Sequence, residues 1–201
     1  MAKSIEEVIP RLMTDSSTKD GKAETMMDYI ISWTLRSAED KYKETRPILN
    51  KNAKKILLYL IGYQKESDIE IIEVQTWKQS SQIDLWGEIR LKRNGQEELH
   101  AILIESKYYT GLHNATDIDG EKRNQLIVYK KKFDNYYNAQ NENWIRHYNL
   151  ITCIEREEPD KFTRYEIAKE FGFDIFTFYE IVNIGLEETE SDIFNEFWLC
   201  W

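Results

Sequence analysis

Hydrophobic and polar residues change rhythm several times along the chain, and each rhythm predicts an element. Between Asp20 and Ala38, Met26, Ile30 and Trp33 recur at helical spacing, with Asp20 placed to cap the N-terminus and Glu24 in the first turns. A second helix is expected to open at Pro47, a residue tolerated at the first helical position, and to run to Gly62 through Ile56, Leu57, Leu60 and Ile61. Strand-like segments follow at Ile69 to Trp77, Gln82 to Lys92 and Leu99 to Lys107. Tyr108 to Gly120 is a polar, glycine-punctuated loop, and Glu121 to Tyr137 reads as helix. His147 to Ile154 then reads as a buried strand, Pro159 to Phe171 as a helix opened by proline, and Phe173 to Phe178 as a short strand. A meander followed by crossover helices predicts an α/β (α+β) fold, with helices on the faces of a mixed sheet.

Asn94-Gly95 sharpens that outline, because a two-residue type I′ turn there pairs Arg93 with Gln96 and fixes every later pair. Asp84 then falls opposite Glu105. Ile83, Leu85, Gly87, Ile89 and Leu91 share one face of their strand, and Asp84, Trp86, Glu88 and Arg90 share the other. Ala101, Leu103, Glu105 and Lys107 line up with the second set. Two carboxylates so placed have β-carbons about 4.5 to 5.5 Å apart and repel, so a cation is expected between them. Mg²⁺ fits this position, since it is held by one or two carboxylates, waters and substrate phosphate, and Mn²⁺ can substitute. Lys107, two residues beyond Glu105 on the same face, is placed to hold an attacking water.

Composition narrows the class. The 201 residues suit one domain, 1–201, with a helical N-terminal extension over about 1–63. Met1 to Met13 lacks a signal-peptide core and the apolar run Ile56 to Gly62 is too short to span a bilayer, so a cytoplasmic protein with no membrane partner is expected. Cys153 and Cys200 lack metal-ligand spacing and read as reduced thiols. A net charge of −9 opposes passive binding to a polyanion, though it weighs less against an enzyme whose phosphate contacts are local. Lys51, Lys54, Lys55, Lys122, Arg123 and Lys130 to Lys132 are the phosphate-contact candidates, with solvated helix faces as the other reading. No glycine-rich phosphate loop followed by Lys-Ser or Lys-Thr is present.

The residues resemble the PD-(D/E)XK nuclease superfamily, in which an acidic residue on one strand precedes Glu-x-Lys on the next. Asp84, Glu105 and Lys107 match that motif, with Ile83 in place of the naming proline. Gln125-Leu126-Ile127-Val128-Tyr129 matches the Gln-x-x-x-Tyr helix motif of the phage-exonuclease-like branch. The resemblance covers roughly Glu24 to Tyr179 and implies a restriction-endonuclease-like αβββαβ core. It further implies a nuclease acting on nucleic acid, DNA by preference, in bacterial defence, repair or a mobile element. Asp84, Glu105 and the Ser106 carbonyl would ligate Mg²⁺. Lys107 would orient the nucleophile, and Gln125 and Tyr129 would position the site or substrate. In that branch an acidic residue of the first core helix joins the metal; Glu24 is the first choice and Asp28 the alternative.

Other readings stand beside these. Glu24 also suits the positive end of a helix dipole, and Gln125 and Tyr129 suit a polar helix stripe. His113, Asp117 and Asp119 read either as solvated loop or as contacts to substrate or metal. His100 reads as a hydrogen-bonded core histidine, and His147 and Cys153 as strand packing. Phe194, Phe197, Trp198, Leu199 and Trp201 either pack on the domain or form a homo-oligomer contact. The rival functions are a catalytically inactive interaction module with the nuclease fold and an RNA-directed phosphodiesterase.

Overall fold

The computed structural model describes residues 23–64, 68–80 and 83–200. Helices α1 (Ala23–Ser37) and α2 (Pro47–Leu60) precede the antiparallel strands β1 (Ile69–Ser80), β2 (Ile83–Arg93) and β3 (Gln96–Lys107). A small hairpin, β4 (Asn114–Thr116) and β5 (Lys122–Asn124), leads into α3 (Gln125–Asn138). Then come β6 (Trp144–Thr152), α4 (Pro159–Glu170), β7 (Asp174–Thr177), α5 (Phe178–Val182) and α6 (Asp192–Trp198). The main sheet runs β1-β2-β3-β6-β7. β6 and β7 join it in parallel through the crossovers α3 and α4, so the α+β fold with a mixed, helix-flanked sheet is as expected.

The Asn94-Gly95 turn forms as its chemistry requires. Both residues have positive φ, 51° and 82°, and Arg93 pairs with Gln96, Trp86 with Leu103 and Leu85 with Ile104. Leu85, Ile89, Leu91, Ile102 and Ile104 bury against α1, α2 and α6, while Trp86, Ala101 and Leu103 bury against α3 and α4. Ile83 departs from the expected face and joins the α3 and α4 cluster.

Two other expectations need correction, and one open choice is decided. Residues 121–124 do not begin α3: Lys122–Asn124 pair with Asn114–Thr116, and the Asn124 side chain accepts from the Leu126 amide and so caps the helix at Gln125. β6 begins earlier, at Trp144, because its first half pairs with Leu99 to Ala101. Of the two readings of the C-terminal aromatics, packing on the domain is the one the described residues follow. Phe194, Phe197 and Trp198 are fully buried, Trp198 stacks on Phe178 at 5.2 Å, and its indole N–H donates to Thr34 Oγ1 at 3.0 Å. The expected Asp20 cap and Trp201 lie outside the described residues.

His100 is the bonded core histidine that its position predicted. It is fully buried, 2.9 Å from His147 Nε2 and 3.2 Å from Glu98. No described helix is long and apolar enough to cross a membrane.

Candidate active site

The C-terminal end of β3, where the sheet changes from antiparallel to parallel, carries the acidic and basic residues together. Such ends gather functional groups because the following crossover loops diverge there and leave a crevice. Glu105, Ser106 and Lys107 are all buried, and Asp84 on β2 accepts from the Ser106 amide at 3.3 Å. The Asp84 and Glu105 carboxyl groups lie near enough to act on each other's ionisation, at the end of the β2–β3 pairing.

Electrostatics follow from this crowding. Burial, then the neighbouring Asp84 carboxylate, pushes Glu105 well above the usual carboxylate range, while Lys107 opposes the rise. Asp84 is also pushed up by burial, and Lys107 draws it back in part. Burial alone would lower Lys107. Its Nζ, however, lies 2.6 Å from Glu105 Oε1, and with Glu24 and Asp84 beyond, the net result is a raised pKa and a protonated lysine.

Helices bring the remaining residues. Gln125 opens α3 fully buried, donates its amide to Glu105 Oε1, and accepts from the His113 amide at 3.0 Å. Tyr129 lies one turn on, pushed up to about 12 by burial and then by the charges of Glu105 and Asp84. α1 supplies two acids. Glu24 Oε1 accepts from the Tyr108 amide at 3.1 Å and from the Thr110 hydroxyl, so it holds the loop leaving β3. Asp28 is buried deeper, at 3% exposure, and is raised to about 7 by burial, then Asp84 and, after an opposing effect of Ser106, Glu24.

No family model, curated protein or solved structure matches the chain. The fold nonetheless brings Asp84, Glu105, Lys107, Gln125 and Tyr129 together at one sheet end.

The chemistry of the donors bears on a metal. Among the described residues, no three His, Cys, Asp or Glu side chains close on one point as a finished cage. Yet Asp28 Oδ1, Glu105 Oε2 and Ser106 Oγ, all buried, have no hydrogen bond of ordinary geometry. Ser106 lowers the Asp28 pKa without making a bond of ordinary geometry to it. Buried polar atoms nearly always have partners, and carboxylate oxygens left without one fit a hard cation such as Mg²⁺ or Mn²⁺. On this criterion Asp28 is the better α1 donor, since Glu24 already holds the loop.

Sequence reasoning missed Tyr109. It sits two residues past Lys107 with φ 57°, a left-handed conformation uncommon outside glycine, asparagine and aspartate. Its amide faces the Cys153 thiol, and both neighbouring residues bond to Glu24. No sequence signal marks this position, because these partners come from α1 and the end of β6.

The expected phosphate contacts are mostly engaged within the chain. Lys51 pairs with Glu187, Lys54 with Asp40 at 2.9 Å, and Lys55 donates to the Gly185 carbonyl. Arg123 pairs with Asp117 and Asp119, Lys131 with Asp117, and Lys130 donates to the Phe171 carbonyl. Asp117 and Asp119 thus brace the β4–β5 hairpin against Arg123, and His113 stands exposed with only its backbone engaged at the site.

Proposed function

We propose that this chain is a metal-dependent phosphodiesterase that hydrolyses nucleic acid, with DNA as its substrate class. The carrying observation is that Asp84 and Glu105 lie beside Lys107, with Asp28 next to Asp84, while Asp28 Oδ1 and Glu105 Oε2 are buried without a hydrogen bond of ordinary geometry. Asp84, Glu105 and the Ser106 carbonyl would hold the ion, with Asp28 or Glu24 from α1. Bound there, Mg²⁺ or Mn²⁺ supplies an acidified water and positive charge for the phosphoryl oxygens.

The chain's own groups do the rest. Lys107, kept protonated by its carboxylate neighbours, orients the nucleophile and offsets charge developing on the phosphoryl group. Gln125 fixes the Glu105 carboxyl and ties it to the loop at His113, so the acid keeps its orientation when substrate arrives. Tyr129 stays a neutral phenol at physiological pH and retains a proton to donate to a phosphate oxygen. A bacterial defence or repair setting, in the cytoplasm, accords with this reading and with Cys153 and Cys200 standing as thiols outside any disulfide.

Purified protein incubated with linear, circular and single-stranded DNA, and with RNA, in Mg²⁺ or Mn²⁺ tests the activity. Cleavage is expected to fall at least about 100-fold in Lys107→Ala, as when one preorganised donor is removed from other active sites. Equal cleavage by wild type and Lys107→Ala would sink the reading, and cleavage of RNA alone would redirect its substrate class. A non-catalytic module of the same fold is the second reading, favoured by the net charge of −9 and by basic residues already engaged within the chain. Calorimetry separates the two, since only the enzyme should bind a divalent ion and lose it on Asp84→Ala.

A further inference from the structure

At the other end of α1, about 12 Å along the helix axis from Asp28, a cavity of about 410 Å³ opens between α1, the turn at Asp40–Tyr42 and the start of α2. Its floor is apolar: Leu49 is buried, and the half-buried Trp33 packs against the core. Tyr42, 41% exposed, stands among its lining residues, and Arg36 and Arg46 are both exposed.

Charge makes this cavity unusual within the molecule. In a chain of net charge −9, Arg90, Arg93, Arg123, Arg146 and Arg156 each meet a carboxylate. Arg36, Arg46 and Arg164 meet none among the described residues; Arg164 donates to the Lys161 carbonyl, while Arg36 and Arg46 line this one cavity together. Arg36 donates its Nε to the Ser32 carbonyl at 3.3 Å, which leaves its terminal nitrogens available. Glu190 feels the Arg46 charge, but its two oxygens accept from the Ile48 and Leu49 amides at 3.0 Å each. Two guanidinium groups with no carboxylate in direct ion-pair contact, beside two aromatic rings, match a ligand with both a planar apolar part and a compact anion.

The walls are built before any ligand arrives. Asn50 Nδ2 donates to the Ser37 and Glu39 carbonyls at 2.9 Å, which ties α2 to the end of α1 and to the turn. Lys54 pairs with Asp40 at 2.9 Å, and the Ser37 hydroxyl donates to the Trp33 carbonyl at 2.8 Å. A preformed cavity of this size, with an apolar floor and convergent polar groups, has the form of a small-molecule site.

We propose that this cavity binds a nucleotide unit, its phosphate on Arg36 and Arg46 and its base against Trp33 and Tyr42. It is separate from the acidic cluster and uses none of its residues, so it goes beyond the nuclease reading.

Isothermal titration calorimetry of the full chain in EDTA tests it, with the four 5′-nucleoside monophosphates, the matching nucleosides, inorganic phosphate and a short single-stranded oligonucleotide as probes. At least one monophosphate should bind saturably, and its nucleoside and inorganic phosphate should each bind at least about tenfold more weakly. Arg36→Gln and Arg46→Gln should each cost about tenfold or more in affinity while the melting temperature holds, and Asp84→Ala should change nothing. Binding of the oligonucleotide alone, with the same sensitivity to both arginines, would assign the nucleotide unit to a strand. Absence of saturable binding by every probe, phosphate binding as tightly as the monophosphates, or affinity unchanged in both arginine variants would overturn the proposal. Because the titration contains no divalent ion and reads no cleavage, its failure leaves the nuclease reading untouched, and the converse also holds.

Discussion

Asp28 is the residue whose replacement reports most directly on the physics of the acidic cluster. Its carboxyl is carried from 3.8 to about 7 by burial and by the Asp84 and Glu24 charges. A folded-state pKa above the unfolded value means that the native protein holds the extra proton between those two limits. Stability from this group is therefore complete below pH 4 and is lost as pH rises through about 7. At 1.36 kcal/mol per tenfold change in acidity, the loss at pH 8 is about 4 kcal/mol. Asparagine has nearly the same shape and no charge, so Asp28→Asn should escape it.

In EDTA at pH 8, Asp28→Asn should be more stable than wild type by up to about 4 kcal/mol, or about 10 °C in melting temperature for a chain of this length. Near pH 4 the two should melt together. Mg²⁺ at one hundred times Kd should narrow this difference at pH 8, adding about 2.7 kcal/mol to wild type and little to the variant. Thermal and urea denaturation at both pH values measure all of this. A variant less stable than wild type at pH 8 in EDTA, or a difference independent of pH, would refute the electrostatic argument.

Other perturbations reach separate parts of the account. Burial, with His100 beside it, lowers His147 to about 4, so its contribution is present above pH 6.5 and lost as pH falls through 4. His147→Gln should remove an acid-side loss of about 3 kcal/mol, read by urea denaturation across that window. Trp198→Ala should destabilise by about 3 to 5 kcal/mol with unchanged sedimentation, because the ring is core and not an oligomer contact. Tyr109→Gly should raise stability by about 1 kcal/mol, since glycine adopts the left-handed backbone at position 109 without steric cost; a lowered melting temperature would count against strain there.

The register of β2 on β3 was legible because Asn94-Gly95 admits one turn type and alternation admits one set of faces. That register put Asp84 across from Glu105, and the i, i+4 spacing put Gln125 and Tyr129 on one face of α3. The start of α3 was not legible. Residues 121–124 carry a helix-compatible pattern, and only their pairing with Asn114–Thr116 makes them a strand. The choice between Glu24 and Asp28 was equally hidden, since it depends on how α1 is rotated against the sheet and on Tyr108 and Thr110 engaging Glu24. The cavity between Arg36 and Arg46 escaped for the same reason: its walls meet only after α1 and α2 pack.

The central claim is that Asp84, Glu105 and an α1 carboxylate share a divalent ion beside Lys107. A crystal structure of the wild-type protein soaked in Mn²⁺, with anomalous scattering recorded, tests it most directly. The account predicts an anomalous peak roughly 2.0 to 2.3 Å from oxygens of Asp84 and Glu105, with Asp28 or Glu24 nearby and Lys107 Nζ drawn off Glu105. Strong Mn²⁺ occupancy elsewhere on the molecule, with Lys107 still 2.6 Å from Glu105 and no peak between the two acids, would contradict it.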